Sequence, residues 1–450
     1  MGSINKKKFK FGPGLITMAL AQGSGELIWW PFLIGKYGVS FLWLLPIAAF
    51  AQLPINYFLG RYTLITGKTF FSGLIEKRKR FAVFIWVLFT ISFLWFGAYA
   101  SAAGTALGTF VWPFEGDYSD RTKTLIWGTI ILFFSFFVVI LSKDEIYKRI
   151  KIFMAFISIS TLLLLILSVI IPVDVRKNYM FFLSSFFPYF SIDFWQLSWW
   201  PNTWNPNDWP ILISGLLFTG MGGFWNVLYS YWAKEEWGYL HLDSDNTIYE
   251  KTSVEKRKIF LLTRNNLRWD VNIGIIGNLI TTVFISLLAF TYLSNSAELP
   301  NDWRLVVVQS KMFSGLWNIG PTIFICIAIM FLIDFWITTA DAVARVHSDV
   351  LREILPKKYQ NGNLYEYVIY FLAIITFMTM LWQNPKILFL INGIINALAM
   401  NLIIYCIYIL NNDIFAGKKE YLRPNAFSRF GLLLSFIFFI CGFVLYIIYS

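Results

Sequence analysis

Two glycine clusters interrupt long apolar stretches of this sequence, and their backbones could bind a ligand directly. The first consists of Gly23, Ser24, Gly25 and Glu26, and the second of Gly220, Met221, Gly222 and Gly223. Where a helix breaks, the amides that begin its second half have no partner within the helix, and the helix dipole is positive there. Because glycine has no Cβ, an anion can approach such a backbone closely. The clusters therefore predict a site for a small anion or a carboxylate.

Polar side chains border both clusters inside the apolar stretches, where an ionisable group is costly and usually functional. Glu26 could carry a coupling proton, pair with a substrate ammonium or ligate a hard cation through water. The alternative is a protonated carboxyl that bonds to a neighbouring helix. Gln22 precedes the first cluster, and Asn226 follows the second. We therefore place Glu26 and Asn226 among the candidate substrate ligands, and Glu26 and Gln22 among the candidate ligands of a coupling ion.

A polar stripe occupies one helical face near residue 340. It consists of Asp334, Thr338, Asp341 and Arg345, spaced four, three and four residues apart. Asp341 and Arg345 have the spacing of a helical ion pair, which would be a structural role for both. Thr339 adds a second hydroxyl beside Thr338, although a helical threonine often bonds to its own backbone. Four asparagines in other apolar stretches could line a pathway or merely bond between helices: Asn272, Asn278, Asn392 and Asn396.

The composition requires membrane helices to position these groups. Of the 450 residues, 57% are hydrophobic and only 14% are charged, which is far more apolar than an ordinary soluble domain. Runs of roughly 20 apolar residues are long enough to cross the hydrocarbon core as helices. We predict eleven spans, at residues 12–34, 39–64, 81–110, 124–142, 150–172, 210–232, 270–294, 314–344, 365–382, 386–410 and 428–449. The predicted fold class is therefore all-α and integral to the membrane.

Basic residues set the expected orientation. With a cytoplasmic N-terminus, most lysines and arginines lie on the cytoplasmic side, as the positive-inside rule requires. The basic runs are Lys6–Lys8, Lys77–Arg80, Lys148–Lys151 and Lys256–Lys258. Because the number of spans is odd, the C-terminus is expected outside. The formal charge of +11 does not indicate nucleic-acid binding, since the basic residues lie at the ends of apolar runs rather than in one patch.

An internal repeat relates the two glycine clusters. From Pro13 the sequence reads P-G-L-I-T-M-A-L-A-Q-G-S-G, and from Pro210 it reads P-I-L-I-S-G-L-L-F-T-G-M-G. The first copy opens span 1 from the cytoplasm, whereas the second opens span 6 from outside. Inverted repeats with two broken helices are typical of secondary transporters, whose sites lie near mid-membrane. The alternative is that these glycines merely allow close helix packing.

The repeat divides the chain into four parts. Residues 1–172 form the first repeat, residues 210–410 form the second, and residues 411–450 form a loop and the last span. Residues 173–209 form an external connection whose tryptophans predict a position at the membrane interface: Trp195, Trp199, Trp200, Trp204 and Trp209. Residues 233–269 have mixed charge and no clear periodicity, so they are predicted to form a solvated cytoplasmic loop.

The same segments resemble the Nramp family, the proton-coupled divalent-metal transporters with a leucine-transporter-like fold. The resemblance rests on F-G-P-G-L from Phe11, R-Y-T-L-I-T-G-K from Arg61 and N-V-L-Y-S from Asn226, and it covers most of the chain. It implies a five-plus-five inverted repeat with spans 1 and 6 broken, plus one extra span. The metal motifs are absent, because Gly23–Glu26 replaces Asp-Pro-Gly-Asn and Gly223–Trp225 replaces Met-Pro-His.

The residues that replace the metal motifs suggest a different cargo. Gly-Ser-Gly at the first break is similar to the motif of amino-acid transporters in the amino acid-polyamine-cation superfamily, where unwound backbone amides bind the substrate carboxylate. Sodium-coupled relatives of this fold hold the ion between hydroxyls of span 8 and carbonyls of the span 1 break. The resemblance therefore implies a sodium site at Thr338 and Thr339, and Asp334 and Asp341 are further candidates for the coupling ion.

We expect a secondary-active transporter that works by alternating access and is coupled to sodium or protons. Its expected substrate is a small anionic or carboxylate-bearing solute, such as bicarbonate, a carboxylate or an amino acid. The alternative is the family's own activity, with a hard or hydrated divalent cation such as manganese or magnesium bound by Glu26 and carbonyls. We expect a monomer in the plasma membrane, with no cofactor besides sodium as the coupling ion.

Other functions find no support in the sequence. Motifs of intramembrane and hydrolytic enzymes are absent, so no enzymatic activity is expected. The three cysteines lie within apolar runs, and the two histidines, His241 and His347, lie outside the predicted spans. No metal site is therefore assigned with confidence from cysteine or histidine spacing.

Overall fold

The computed structural model describes residues 12–22, 28–111, 119–141, 146–187, 201, 203–237, 253–294, 299, 302–356, 358, 363–416 and 422–449. Within these ranges the regular structure is helical, without strands, and the all-α prediction is confirmed. The helices are α1 (Gly14–Ala21), α2 (Trp30–Tyr37), α3 (Leu44–Thr66), α4 (Phe70–Ser92), α5 (Gly97–Val111), α6 (Asp120–Leu141), α7 (Ile146–Ile170), α8 (Val173–Lys177), α9 (Tyr179–Ser184), α10 (Trp209–Leu217), α11 (Trp225–Trp237), α12 (Ser253–Tyr292), α13 (Leu305–Ser310), α14 (Gly320–Ile354), α15 (Leu364–Trp382), α16 (Pro385–Ala416) and α17 (Ala426–Tyr449).

Eight helical stretches in the described ranges are long and apolar enough to cross a membrane. They lie in α4 together with α5, and in α6, α7, α12, α14, α15, α16 and α17. The pairs α1 and α2, and α10 and α11, consist of helices that are individually too short to span. α3 buries the polar residues Gln52, Asn56 and Arg61, which lower its hydropathy. The chain is therefore a multi-pass membrane protein, and the count of eleven spans stays a prediction.

In predicted span 1 two α-helices flank the position of the predicted break, and in predicted span 6 the helix is interrupted at its glycine cluster. In the first, α1 ends at Ala21 and α2 begins at Trp30, and residues 23–27, which include Gly23, Ser24, Gly25 and Glu26, lie outside the described residues. In the second, α10 ends at Leu217 and α11 begins at Trp225. There Gly222 and Gly223 have φ angles of +64° and +48°, a region that residues with a Cβ rarely adopt. The backbone of the second break therefore requires glycine at both positions.

The segment R-Y-T-L-I-T-G-K contains the end of α3, and α4 begins shortly after it. α3 terminates at Gly67, whose φ is +69° and whose amide donates to the carbonyl of Thr63 at 2.7 Å. A left-handed glycine is the usual way to satisfy the last carbonyls of a helix. Thr69 then caps α4, since its hydroxyl oxygen accepts from the amide of Ser72. Local sequence therefore forms this turn, and the amide of Phe70 also donates to the hydroxyl of Ser230 at 3.2 Å.

The broken helices lie inside the bundle. α1 packs against α7 and α12, α2 against α12, α10 against α16, and α11 against α3 and α14. α2 also packs on α10, since a Cβ added to Gly215 would lie 3.2 Å from the Cδ1 of Leu33. α17 packs against α3 and α16 on one side and exposes large apolar side chains on the other, which is the pattern of a lipid-facing helix. The described polar residues beside the two glycine clusters, Gln22 and Asn226, are buried inside the bundle.

Three helices extend beyond their predicted spans. α11 continues to Trp237 and α12 begins at Ser253, so the prediction of a loop over residues 233–269 is wrong for residues 233–237 and 253–269. A polar helical extension has little apolar periodicity to reveal it. α14 continues to Ile354 and buries His347, which had been predicted to lie outside the spans. Its Nδ1 lies 2.8 Å from the carbonyl oxygen of Val343, and its Nε2 lies 3.1 Å from the hydroxyl of Thr90. His241 lies outside the described residues.

The aromatic connection before α10 packs onto the end of α2. The Trp204 ring lies 5.0 Å from Tyr37 and 5.5 Å from Trp209, measured between centroids. Asp208 accepts hydrogen bonds from Tyr37 Oη and Lys36 Nζ, both at 2.5 Å. These contacts hold the connection against α2, a role that the sequence did not indicate. The remaining tryptophans of this segment, Trp195, Trp199 and Trp200, lie outside the described residues.

Candidate functional site

Gln52 of α3 bridges the second break. Its Nε2 donates to the carbonyl of Leu217, the last residue of α10, at 2.7 Å, and its Oε1 accepts from the amide of Gly222 at 3.0 Å. Gln52 is fully buried, and a Cβ on Gly220 would lie only 2.5 Å from its Oε1. The side-chain amide thus replaces the backbone hydrogen bonds that the helix loses where it breaks.

Asn396 of α16 contacts the other side of the same break. Its Oδ1 accepts from the amide of Phe224 at 2.8 Å, and its Nδ2 donates to the carbonyl of Asn392 at 2.9 Å. A Cβ on Gly223 would lie 2.4 Å from the Cβ of Asn396, so α16 packs directly on the glycine. The second break is therefore clamped between α3 and α16.

This clamp changes the predicted anion chemistry of the second cluster. The amides of Gly222 and Phe224 already donate to side-chain oxygens. Met221 is buried beside them, with 2% of its surface exposed. In this arrangement the second break does not offer those two N–H groups to an anion. Its contribution to a ligand must come from other atoms.

Three more side-chain amides lie beside the glycine clusters, those of Asn278, Asn226 and Gln22. Each presents its oxygen atom, rather than an N–H group, to its surroundings. The Nδ2 of Asn278 donates to the carbonyl of Thr219 at 2.9 Å, and the Nδ2 of Asn226 donates to the carbonyl of Gly223 at 3.2 Å. Because a carbonyl can only accept, each asparagine must use its nitrogen there, and its Oδ1 points elsewhere. Both Oδ1 atoms are buried and have no hydrogen-bond partner among the described residues.

Gln22, just before the first glycine cluster, also donates through its side-chain nitrogen and leaves its oxygen without a donor among the described residues. Its Nε2 donates to the hydroxyl of Thr281 at 3.1 Å, while that hydroxyl donates its proton to the carbonyl of Gly277 at 2.9 Å. The Oε1 of Gln22 is left buried without a donor in the part of the chain that the structure describes. Because Thr281 and Asn278 are three residues apart on α12, Gln22 and Asn278 belong to one polar group between the two breaks.

Two threonine hydroxyls on α14 are also buried without a hydrogen-bond partner among the described residues. Thr338 and Thr339 are fully buried, and neither hydroxyl has a hydrogen-bond partner within the described ranges. One turn earlier, Asp334 is 2% exposed, and its Oδ2 likewise has no partner there. α14 carries these groups between α5 and α11, where the ring of Phe335 lies 3.9 Å from Tyr99 and 5.1 Å from Trp225. This aromatic packing fixes α14 beside the start of α11.

Asp341 is hydrogen-bonded on both carboxylate oxygens, unlike the Oδ2 of Asp334 and the hydroxyl of Thr338 in the same stripe, which have no partner among the described residues. Both of its carboxylate oxygens accept from Arg345 Nε, at 3.0 and 2.9 Å, and Oδ1 also accepts from Tyr365 Oη at 2.8 Å. Arg345 Nη1 in turn lies 3.3 Å from Glu235 of α11. The predicted ion pair is confirmed. The network links α11, α14 and α15 along a cavity of about 360 Å³, so Asp341 has a structural role that competes with ion coupling.

The sequence interpretation missed Gln52, which holds the second break together. A signal existed, because Gln52 is a polar residue inside an apolar span, and such residues usually face a partner. Its partners are more than 160 positions away in the chain, so no local pattern could identify them. Asn278 and Asn396, by contrast, were predicted to line the pathway or to bond between helices, and they do bond to the break.

Solved structures resemble this chain, although no protein-family model and no curated protein matches its sequence. A manganese transporter of Eremococcus coleocola superimposes with a TM-score of 0.70 at 13% identity, over 97% of this chain and 85% of that one. MHP1, a nucleobase-cation-symport-1 family transporter, gives 0.58 at 13% identity, over 97% and 92%. MhsT in complex with L-phenylalanine gives 0.55 at 13% identity, over 97% and 98%.

These likenesses define the class of fold. The chain has the leucine-transporter-like fold of these solved transporters. The similar structures are transporters rather than enzymes. At 13% identity the comparison establishes the fold and leaves the cargo to be argued from this chain's own residues.

Proposed function

We propose that this protein is a secondary-active transporter that carries a small carboxylate-bearing solute together with sodium. The observation that carries the proposal is a set of buried side-chain oxygens without a donor in the described ranges. They belong to Gln22, Asn226, Asn278, Asp334, Thr338 and Thr339. Burying an oxygen without a partner costs free energy, so each of these atoms is suited to a bound cation or to a solute that donates hydrogen bonds.

Sodium is the proposed coupling ion at Thr338 and Thr339. Hydroxyl and carbonyl oxygens are hard ligands that suit cations such as sodium better than soft transition metals. Both hydroxyls are buried and without a partner in the described part of the chain. Proton coupling through Glu26 is the alternative. Asp341 is the weaker ion candidate, because Arg345 and Tyr365 already satisfy its carboxylate.

An amino acid is the form of carboxylate-bearing solute that suits the available groups best. Its carboxylate would bind the backbone amides of Gly23–Gly25, as glycines at a helix break allow. Its ammonium would donate to oxygens such as those of Asn226 and Asp334, which are buried and without a donor among the described residues. The clamp by Gln52 and Asn396 is consistent with binding of the carboxylate at the first cluster, because it removes two N–H groups from the second break.

A divalent cation is the second candidate, and with it membership in the Nramp family as a divergent member. The buried oxygens of Asp334 and Asn226 are ligands that manganese or magnesium would accept. Against it, the described residues contain no group of three or more His, Cys, Asp and Glu side chains that could hold a metal. Glu26 would then have to complete the site together with backbone carbonyls.

The test is a thermal-shift screen of purified protein, followed by uptake into proteoliposomes. A ligand that binds only the folded state stabilises it, by about 2.7 kcal/mol at a concentration of 100 times Kd. We expect an amino acid to raise Tm in sodium chloride but not in potassium chloride, and Asp334→Asn to reduce the response. If manganese or magnesium alone raised Tm, and Glu26→Gln abolished that effect, the metal proposal would replace the first.

A further inference from the structure

A buried arginine outside the transport site has Tyr57 beside it but no carboxylate partner among the described residues. Arg61 of α3 is only 1% exposed, and its Nη1 and Nη2 atoms have no hydrogen-bond partner among the described residues. An arginine does not deprotonate in a protein, so it cannot lower the cost of burial by losing its charge. A buried and unpaired guanidinium is unfavourable unless something supplies negative charge.

Two further arginines converge on the same place from α12. α3 packs on α12 beside Arg61, since a Cβ added to Gly60 would lie 2.6 Å from the Cδ1 of Leu267. This packing brings Arg264 and Arg268 to the same region. The Nε of Arg264 is also buried without a partner in the described ranges. The guanidinium of Arg268 lies over the ring of Tyr57, 5.6 Å from its centroid, and Tyr57 is one turn before Arg61 on α3. Three like charges are thus held together by packing, although they repel each other.

The nearby carboxylate of Asp270 is hydrogen-bonded to other groups. Asp270 follows Arg268 by two residues, but its Oδ2 accepts from the amide of Gly14 at 2.8 Å and from Tyr229 Oη at 2.9 Å. No described carboxylate forms an ion pair with Arg61, Arg264 or Arg268. Within the described chain, the arginines therefore lack the counterion that their burial calls for.

The cluster opens toward the edge of the bundle. Arg268 is exposed, the adjacent Trp269 is 63% exposed, and Leu262 is 54% exposed. An exposed tryptophan beside an arginine at the end of a membrane helix is typical of the headgroup region. The three arginines lie on the side of the membrane where α1 begins, because Asp270, two residues after Arg268, binds Gly14.

We propose that Arg61, Arg264 and Arg268 form a binding site for a phosphate group, separate from the transport site. Guanidinium groups bind phosphate oxygens through paired N–H donors, and several arginines around one phosphate neutralise its charge. The arginines suit the phosphate of a phospholipid headgroup and the exposed apolar residues beside them suit its acyl chains, and free phosphate shares the chemistry of the headgroup phosphate. The bound phosphate would supply the charge that Arg61 lacks and would fasten α3 to α12.

The experiment measures Tm of the purified full-length protein under three additions. These are phosphatidylglycerol in mixed micelles with phosphatidylcholine as reference, inorganic phosphate, and chloride at equal ionic strength. We expect phosphatidylglycerol to raise Tm relative to phosphatidylcholine, and native mass spectrometry to show it retained. Arg264→Gln and Arg268→Gln should each weaken its apparent affinity about tenfold, because a hydrogen bond to a charged group is lost. Arg176→Gln removes an exposed arginine elsewhere and should leave the affinity unchanged.

Arg61→Met distinguishes a ligand site from a purely structural cluster. Without added phosphate or anionic lipid, Arg61→Met should raise Tm, since it removes an unpaired buried charge. With phosphatidylglycerol, the unmodified protein should be the more stable of the two. A response to inorganic phosphate alone would support the site and identify free phosphate as its ligand. The proposal fails if neither addition raises Tm above chloride, or if Arg61→Met lowers Tm equally in every condition.

Discussion

At the scale of single residues, Thr338 and Thr339 of α14 differ from several other helical threonines and share their unpartnered hydroxyls with Thr63 and Thr161. Thr90, Thr129 and Thr376 each donate their hydroxyl to the carbonyl four residues earlier, at 2.9, 2.7 and 2.7 Å. This is the usual arrangement, because it satisfies a hydroxyl inside a helix. Thr338 and Thr339 lack such a bond among the described residues, which leaves both oxygens available to an ion.

The first prediction concerns these two hydroxyls. The double variant Thr338→Val with Thr339→Val should abolish the rise in Tm that sodium chloride produces over potassium chloride, because valine keeps the shape and removes the ligands. Since neither hydroxyl is hydrogen-bonded in the described chain, Tm without sodium should change little. Thr129→Val is the matched control, and sodium should still stabilise it. Sodium-dependent stabilisation that survives in the double variant would contradict the assignment.

Residue types alone identified part of the site. Helical spacing predicted the Asp341–Arg345 pair, since both partners lie on one helix. The bonds of Gln52 and Asn396 to the second break join residues at least 165 positions apart. Such contacts depend on which helices become neighbours, and that is decided by packing of the whole bundle. The sequence therefore predicted an anion nest where the structure shows amides that are already occupied.

At the scale of elements, the second break depends on glycines with positive φ. A side chain at Gly222 would be strained by its φ of +64°, and its Cβ would lie 2.9 Å from the carbonyl oxygen of Leu217. Gly222→Ala should therefore lower Tm and the yield of folded protein, by roughly 1–3 kcal/mol for one strained residue. The structure thus favours misfolding over a selective loss of binding in bulky variants at this position.

Gly442→Ala is the control for this second prediction. Gly442 lies in α17, and an added Cβ would meet nothing within 4 Å. Alanine is favoured over glycine inside a helix by roughly 0.8–1.0 kcal/mol, so this variant should be neutral or slightly more stable. The measurement is Tm in detergent together with the monodisperse fraction on size-exclusion chromatography. Equal behaviour of the two variants would show that the break tolerates a side chain.

The third prediction concerns how α1 is held at its first residue. Asp270 of α12 accepts from the amide of Gly14 and from Tyr229 Oη, so it caps α1 and ties it to α11. Asp270→Ala should lower stability by about 1–3 kcal/mol, because it leaves a buried donor without a partner. Asp174→Ala removes an exposed carboxylate that lies 3.7 Å from Lys177, and it should have almost no effect. Thermal unfolding of both variants provides the comparison.

At the scale of the whole molecule, hydropathy predicted the fold and charge predicted its orientation. The apolar runs became helices because a backbone in lipid must satisfy its own hydrogen bonds. Segments outside the bilayer escaped this rule, which is why the helical residues 253–269 and the buried His347 were misjudged. The fold comparison carries no information about sidedness, so the cytoplasmic N-terminus still rests on the basic residues.

The last prediction tests that orientation. In a variant with Cys326, Cys406 and Cys441 replaced by alanine, single cysteines would be placed at two exposed positions, Asn207 and Arg80. Asn207 precedes α10 in the connection predicted to be external, and Arg80 lies in the basic run of α4 predicted to be cytoplasmic. An impermeant maleimide should label Asn207→Cys in intact cells and Arg80→Cys only after permeabilisation. Labelling of Arg80→Cys alone in intact cells would invert the topology, and the phosphate site at Arg61 would then face the outer leaflet.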